Sequence, residues 1–387
     1  MTSAQTPSQS PSQASAPVVR PTNLAEAAEA LTGGDGRVEI RGAATARDWA
    51  GRPEPADLVL DTTAMTGVIT HNPGDMTVSV RAGTPLRVLN DELASHGQRV
   101  ALDAARVDAG ATVGGLVATA DAGPSALVHG SLRDLVIGTT VVLADGTPAR
   151  SGGHVIKNVA GYDLSKLLHG AYGTLALIAE VVLRLHPVPA AETTVRLVCP
   201  LGDAAAAARA VLGSPLEPVA LEWADGALLT RLAGNPTTVT ARAQRLATLL
   251  GPSAEPLDTG TAATVWQRHR ELVSGPPGEA AMLRIGTRPS RLPEVLAALV
   301  ALGGSRVTAG LGTGVATLAL PADPGTLEQA HRLVYRAGGS SMLRSRPPGS
   351  DAPAWGPPPS AVAVLRAVRR ELDPRGRLGA GRFSPWM

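Results

Sequence analysis

Along this chain the spacing of apolar positions switches between two periods, and the switches divide it into units. From Val18 to Pro189, short β-branched runs mix with helical stretches. The spacing predicts a helix over Asn23–Leu31, strands over Arg37–Arg41, Leu58–Asp61 and Thr77–Arg81, and a helix over Pro85–His96. A second lobe begins near Leu102. It holds the β-branched stretch Asp134–Thr147, closed by the turn dipeptide Asp145-Gly146, and a long apolar run within Gly170–Pro187. Beyond Pro189 the order strand, helix, hairpin, helix is used twice. Its first pass is Thr194–Cys199, Ala204–Leu212, Val219–Leu232 and Thr238–Leu250. Its second is Met282–Ile285, Pro293–Leu302, Arg306–Leu320 and Leu327–Ala337, followed by a strand over Ser341–Arg346. Such a repeat predicts one antiparallel sheet backed by helices on one face, and an α+β fold overall. The Pro-rich stretch Pro347–Pro359 reads as a linker, and Ser360–Leu372 as a last helix before the tail.

Composition narrows the function classes. A chain of 387 residues allows two or three domains. A net charge of +2, with no basic run that could track a phosphate backbone, argues against nucleic acid. No apolar stretch is long enough to span a bilayer. Residues 1–17 are rich in Ser, Gln and Pro, with neither a basic start nor an apolar centre. They are expected to be a disordered tail rather than a signal peptide, which favours a cytoplasmic location, at most peripheral to a membrane through partners. Cys199 is the only cysteine, so the chain makes no internal disulfide and cannot hold an iron–sulfur cluster; a one-electron carrier would have to sit on another chain. No two of the eight histidines have the close spacing of a helical metal site, and no metal is expected.

Chemistry concentrates in residues 152–175. The only two lysines, Lys157 and Lys166, lie there, as do Tyr162 and Tyr172. In a chain that otherwise meets its need for basic side chains with arginine, a retained ammonium suggests a site that a planar guanidinium does not fit.

Five pieces of the sequence, in order, resemble the FAD-binding domain of the vanillyl-alcohol oxidase and p-cresol methylhydroxylase (PCMH-type) family, and above all glycolate oxidase FAD-binding subunits. They are Arg41-Gly-Ala-Ala-Thr45 with Asp48-Trp49, Ala111-Thr-Val-Gly-Gly115, Gly130-Ser-Leu-Arg-Asp-Leu135, Lys157-Asn-Val-Ala-Gly-Tyr-Asp163 and Gly173-Thr-Leu175. The resemblance covers roughly residues 18–188. It implies a PCMH-type domain of two α+β lobes over 18–189, an antiparallel cap domain over 190–346, and a segment 347–387 whose tail returns to the cofactor.

What the resemblance implies at each site can be set beside the residues themselves. Arg41, Gly42, Ala43, Ala44 and Thr45 follow a strand, where a turn of small residues lets backbone N–H groups converge on a pyrophosphate. Ala43 and Ala44 replace glycines of the family pattern, and on its own the loop reads as an ordinary turn. Thr112 stands where it can cap a helix, and Gly114 and Gly115 leave room for a ring or phosphate; Ala111 and Thr119 flank them. Ala120 takes the place of a family asparagine. Lys157, Asn158 and Tyr162 are placed near the flavin, where a cation favours the anionic reduced ring. Asp163 has the alternative of pairing Lys166 or Arg133, and Tyr162 that of filling core. Gly173, Thr174, Leu175 and, in the tail, Arg382 complete the expected cofactor set. The expected pyrophosphate loop has no histidine, so FAD is expected to be non-covalent. The His-x-Gly-Asp-Gly-Asn-x-His stretch and Glu-His pair of two-electron 2-hydroxyacid dehydrogenases do not occur, and no catalytic residue is assigned. Arg268, Arg270, Arg284 and Arg288 remain as carboxylate clamps.

The implied function is an FAD-binding subunit of a glycolate or other 2-hydroxyacid oxidoreductase. It would work with a longer catalytic FAD-dependent dehydrogenase subunit and an iron–sulfur subunit. The alternatives are a non-catalytic FAD-binding scaffold and a stand-alone oxidase of another alcohol or sugar acid.

Overall fold

The computed structural model describes residues 16–155, 162–275 and 280–387. Its first lobe is built on a three-stranded parallel sheet, in which Leu58–Asp61 lies between Val18–Val19 and Val38–Arg41. The helix Leu24–Thr32 starts at Asn23, whose side chain accepts from the Glu26 N–H while Glu26 reaches back to Thr22. Ala27 and Leu31 carry its buried face onto a core shared with Val38, Leu60 and Leu177.

The second lobe is a five-stranded antiparallel sheet in the order Val68–Asn72, Thr77–Arg81, Leu177–Arg184, Val136–Val142, Pro148–Gly152. Leu177–Arg184 is central and pairs on both sides, which accounts for its near-continuous apolar sequence. The helices Leu86–Ala94 and Val113–Ala118 pack on this sheet through Leu86, Leu89, Leu93, Leu116 and Val117.

The third unit is an eight-stranded antiparallel sheet. The doubled order read in the sequence is present: each pass gives a strand, a helix, a hairpin and a helix, and the two passes join where Ala220–Ala224 pairs Ser305–Gly310. Leu201–Leu212, Pro236–Leu250, Leu292–Ala301 and Pro324–Arg336 bury their apolar stripes on one face, against Leu221, Leu228, Leu283, Leu318 and Leu343. Strand alternation therefore turns Arg284, Thr308, Thr317, Met342 and Arg344 to the opposite face. Two elements there were not legible. The short strand Ala254–Pro256 extends the sheet edge, and the helix Thr259–Ser274 lies on the second face, with Trp266 packed on Ala220, Ala227 and Leu229. Its buried positions are only Trp266, His269 and Leu272, too thin a stripe for periodicity to register.

The second face of this sheet meets the first two lobes through polar contacts. Arg231 pairs Asp103 at 3.0 Å, Arg344 pairs Asp121 at 2.8 Å, and the Tyr172 hydroxyl donates to Met342 Sδ at 2.7 Å. Within Pro347–Pro359, expected as linker, residues Ala354 and Trp355 run along the sheet edge: the Leu343 N–H donates to the Ala354 carbonyl and Met342 bridges Trp355. After the helix Val362–Leu372, the tail crosses back to the first lobe. Arg377 donates to the carbonyls of Leu31, Gly36 and Ala144, and Leu378 bridges Val38.

Candidate functional site

A cleft open to solvent at its mouth separates the first two lobes. One wall is the loop after the Val38–Arg41 strand. The Arg41 carbonyl accepts from Thr62 Oγ1 at 3.1 Å, which fixes where the chain leaves the sheet. Gly42 then passes so close to the facing helix that a Cβ would stand 2.6 Å from Thr112 Oγ1. Ala44 has φ 56, a left-handed conformation that glycine would adopt without cost. Among the described residues, the N–H groups of Gly42, Ala43, Ala44, Thr45 and Ala46 donate to nothing. Five successive unspent amides around small side chains are the raw material of an anion cradle.

The opposite wall is the helix Val113–Ala118. Thr112 caps it, its side chain accepting from the Gly115 N–H at 3.2 Å. The surroundings of the glycine pair tell its two members apart. The Val113 N–H is taken by the Thr84 carbonyl and that of Gly114 by the Ala82 carbonyl, at 2.9 and 2.8 Å. The helix start therefore offers space but no free amide. At Gly114 even the space belongs to the protein, since a Cβ would lie 2.8 Å from Ala82 Cβ. At Gly115 the only near neighbour is Thr112 Oγ1, at 3.0 Å. Ala120, in the place of the asparagine, has φ 50, a conformation asparagine tolerates better than alanine.

Arg41, Gly42, Ala43, Ala44, Thr45, Thr112, Gly114, Gly115, Thr119, Gly173 and Arg382 all line this one cleft. Ala111, Thr174 and Leu175 lie beneath it. The Ala111 carbonyl accepts from the Leu86 N–H, Thr174 Oγ1 donates to the Ala171 carbonyl, and Leu175 is core. Tyr162, expected at the cofactor, is 90% exposed: the short helix Ser165–Leu168 turns Ser165 and Leu168 inward and leaves Tyr162 outside. Asp163 pairs Lys166 at 2.9 Å, the structural alternative. Lys157 and Asn158 lie outside the described residues. Arg382 is held in place by the 47–51 segment, its Nη1 donating to the carbonyls of Arg47 and Trp49 at 2.7 and 3.0 Å.

Several residues of the site carry no sequence signal. Arg106 is buried and lines the cleft. Its Nε and Nη2 donate to Asp121 Oδ2, Nη2 also to Thr119 Oγ1 at 3.1 Å, and Nη1 to Thr45 Oγ1 at 3.4 Å. Asp121 takes Arg344 on its other oxygen. Both guanidinium groups lie on the Trp49 ring, 3.7 and 4.0 Å from its centroid. Burial works to raise the Asp121 pKa, but Arg344 and Arg106 together hold it below the usual carboxylate range. At the cleft mouth, burial pushes Glu39 up, and its hydrogen bonds from Arg41 and Arg47 more than offset this, so it too stays ionised.

Tyr172, with Thr119, is shared between the cleft and an adjoining cavity of about 550 Å³ that lies against the third unit. Burial pushes the Tyr172 phenol up to about 12. Trp355 and Phe383 meet its ring edge-on, at 5.9 and 5.8 Å. Arg284 lines the cavity and, among the described residues, makes no ion pair or side-chain hydrogen bond. Of the other clamp candidates, Arg268 pairs Asp225, Arg270 pairs Asp108, and Arg288 lines neither space. Among the described residues, no histidine lines either space, and Glu39 is the only carboxylate that does. No cluster of described residues could hold a metal ion. His269 pairs Glu222, and His331 bonds Ser341 and the Pro353 carbonyl, both as satisfied buried residues.

An FAD binding domain family matches residues 15–152. Glycolate oxidase subunit GlcE of Escherichia coli is 31% identical over 338 residues, 87% of this chain and 89% of that one. Glycolate oxidase subunit GlcD of Bacillus subtilis is 32% identical over 212 residues, 54% of this chain and 45% of that one. The mitochondrial D-lactate dehydrogenase [cytochrome] 1 of Saccharomyces cerevisiae is 34% identical over 42% of this chain and 27% of its own. Among solved structures, alkyldihydroxyacetonephosphate synthase superposes with a TM-score of 0.65 at 14% identity, over 94% of this chain and 76% of that one, a likeness of fold. A cradle of unspent amides facing a helix stripped of side chains fits a bound dinucleotide. With near-full-length similarity at 31% identity, the chain belongs to the PCMH-type FAD-binding oxidoreductases, and its cofactor is FAD.

Proposed function

We propose that this chain is the FAD-binding subunit of a glycolate (2-hydroxyacid) oxidoreductase complex, handing electrons toward an iron–sulfur partner and working beside a longer catalytic dehydrogenase subunit. In this reading the amides of Gly42–Ala46 and the Thr45 hydroxyl hold the pyrophosphate, and Gly115 admits the cofactor against the helix backbone. Arg382 props the cleft edge through the 47–51 carbonyls. When bound, FAD supplies a two-electron acceptor. Arg284, unpaired in the adjoining cavity, offers a guanidinium to a small carboxylate. With no histidine or cysteine among the described cleft-lining residues, FAD is held non-covalently. The sole Cys199 and the lack of any described helix long and apolar enough to cross a membrane agree with a cytoplasmic subunit that reaches a membrane only through partners.

One observation supports the subunit role: among the described residues, the cleft and its neighbour hold a cation for a carboxylate but no group suited to accept the hydroxyl proton. Glu39 is locked to two arginines, and Tyr172 keeps its proton to about pH 12. Hydroxyacid oxidation needs such an acceptor. The test is reconstitution of the isolated chain with FAD, followed by anaerobic addition of glycolate. Little or no bleaching of the flavin is expected from the chain alone, and full bleaching once the longer subunit is added. Rapid bleaching of the isolated chain with peroxide formed in air would make it a stand-alone oxidase. An FAD-loaded chain that never bleaches in the assembled complex would make it a scaffold.

A further inference from the structure

The cofactor reading leaves unexplained why two arginines share one deeply buried aspartate beside the cleft. Asp121 is 1% exposed, and Arg106 and Arg344 bury their side chains to 9% and 5%. The three groups together carry a net positive charge, which is costly away from water unless something compensates it. Burial pushes Arg344 down to about 10 despite Asp121, and Arg284 and Arg106 add to the push. One further cation, Arg284, thus acts on the same small region.

We propose that Arg106 is the fixed cation that faces the flavin ring in this protein, and that Asp121 and Arg344 are positioning residues that aim it, Arg344 from the third-unit sheet. The proposal rests on the reading that the cleft holds FAD. The cleft is lined by the unspent amides of Gly42–Ala46 and, among other residues, by Thr119 and Tyr172. Of its described lining residues only Thr119 and Tyr172 also line the cavity with Arg284, and a ring that exchanges electrons has to face that space. Arg106 donates to Thr119 Oγ1 at 3.1 Å, on the side shared with that cavity, and its other terminal nitrogen reaches Thr45 Oγ1 at 3.4 Å. There it meets charge that develops on the ring only on reduction, and a preorganised cation acts on such charge without reorganising. Both guanidinium groups of the pair stack on Trp49, which restricts their movement.

A purely structural clamp between lobes is the competing account, and opposite-signed substitutions separate the two. Arg106→Met is expected to weaken binding of reduced FAD about tenfold more than oxidised FAD, equal to a negative shift of about 30 mV in the reduction potential for a two-electron couple. Arg344→Met, whose side chain does not line the cleft, should shift the potential the same way by less. Asp121→Asn removes negative charge from the same cluster and should shift it in the positive direction. Arg106→Lys, which keeps the charge, should lie between wild type and Arg106→Met, and it stands as the decisive comparison if Asp121→Asn fails to fold. The potentials are read by dye equilibration, with oxidised-FAD dissociation constants measured alongside. Shifts of one sign in all variants, or weakened retention with an unmoved potential, would overturn the placement while leaving the cofactor reading intact. Wild-type protein that takes up no FAD would defeat the cofactor reading itself.

Discussion

The glycine pair opening the Val113–Ala118 helix allows two adjacent residues of one type to be told apart by what their missing Cβ atoms would meet. At Gly114 the obstacle is Ala82, with Cβ at 2.8 Å and the carbonyl oxygen at 3.1 Å. Gly114→Ala therefore overpacks the contact between the helix and the chain leaving the Thr77–Arg81 strand. Overpacking costs about 1–3 kcal/mol, against about 1 kcal/mol gained from replacing glycine inside a helix. Because the obstacle is a Cβ and a backbone carbonyl rather than the end of a flexible side chain, the cost lies in the upper part of that range, about 2–3 kcal/mol, and the net loss of about 1–2 kcal/mol corresponds to a fall of roughly 2–8 °C in melting temperature. At Gly115 the only obstacle is the capping oxygen of Thr112. Loosening that cap costs up to about 1 kcal/mol, which the helix gain about cancels. Gly115→Ala should unfold near the wild-type temperature without cofactor, yet bind FAD at least tenfold more weakly, because its new methyl enters the cleft. That factor removes about 1.4 kcal/mol of the stabilisation conferred by bound FAD. Thermal unfolding of both variants with and without added FAD, followed by circular dichroism and flavin fluorescence, gives all four values. Wild-type affinity in Gly115→Ala would refute the assignment of this wall to the cofactor, and an undisturbed melting temperature in Gly114→Ala would refute the packing argument.

Ala44→Gly relieves a left-handed alanine while loosening the unfolded chain, so the melting temperature should rise by no more than about 1 kcal/mol equivalent, with FAD affinity kept; a clear loss of either would mean the Ala44 methyl makes a contact of its own. Acid or heat denaturation should release all flavin into the supernatant after the protein is removed, and yellow colour left on the pellet would disprove non-covalent binding. Burial first, and Arg133 second, press His169 down to about 4. The unfolded chain then takes up a proton between about pH 6.5 and 4 that the folded protein refuses, so stability should fall as pH drops through that window and level off below it. His169→Gln should flatten this slope in chemical-denaturation titrations, and an unchanged slope would assign it to other groups.

Much of the fold was legible because the local signals agreed with the tertiary outcome. Asn23 and Thr112 each cap the helix they precede, and the Asp145-Gly146 turn joins the two strands it separates. The doubled strand, helix, hairpin, helix pattern of the third unit follows from its apolar periods alone. The cleft was legible as segments, since each short motif sits on a strand end or a helix start. What escaped was whatever depends on separation along the chain. Arg106 finds Asp121 15 residues away, and Arg344 finds it 223 residues away, with nothing local at Arg344 beyond a strand pattern. The glycine pair was read as space for a ligand, whereas the neighbour that demands Gly114 is Ala82, more than thirty positions earlier. Tyr162 was drawn to the site by its company in the sequence, but the turn into the Ser165–Leu168 helix decides its direction.

The chemistry the cleft lacks constrains the division of labour as firmly as the groups it holds. Oxidising a 2-hydroxyacid removes an electron pair with the carbon-bound hydrogen, and also a hydroxyl proton that needs an acceptor near neutral pH. Tyr172 stands nearest to that task by position. Its hydroxyl, however, already donates to Met342 Sδ, and burial holds the phenol protonated up to about pH 12. Glu39 is ionised, but it is spent on Arg41 and Arg47 at the cleft mouth. The cationic residues that line these two spaces, Arg41, Arg47, Arg106, Arg284 and Arg382 among the described residues, stabilise negative charge and cannot accept a proton. A site with this inventory favours electron-rich forms of whatever it binds and leaves proton removal elsewhere. On the subunit reading, a second chain supplies the base that the described residues of these two spaces lack.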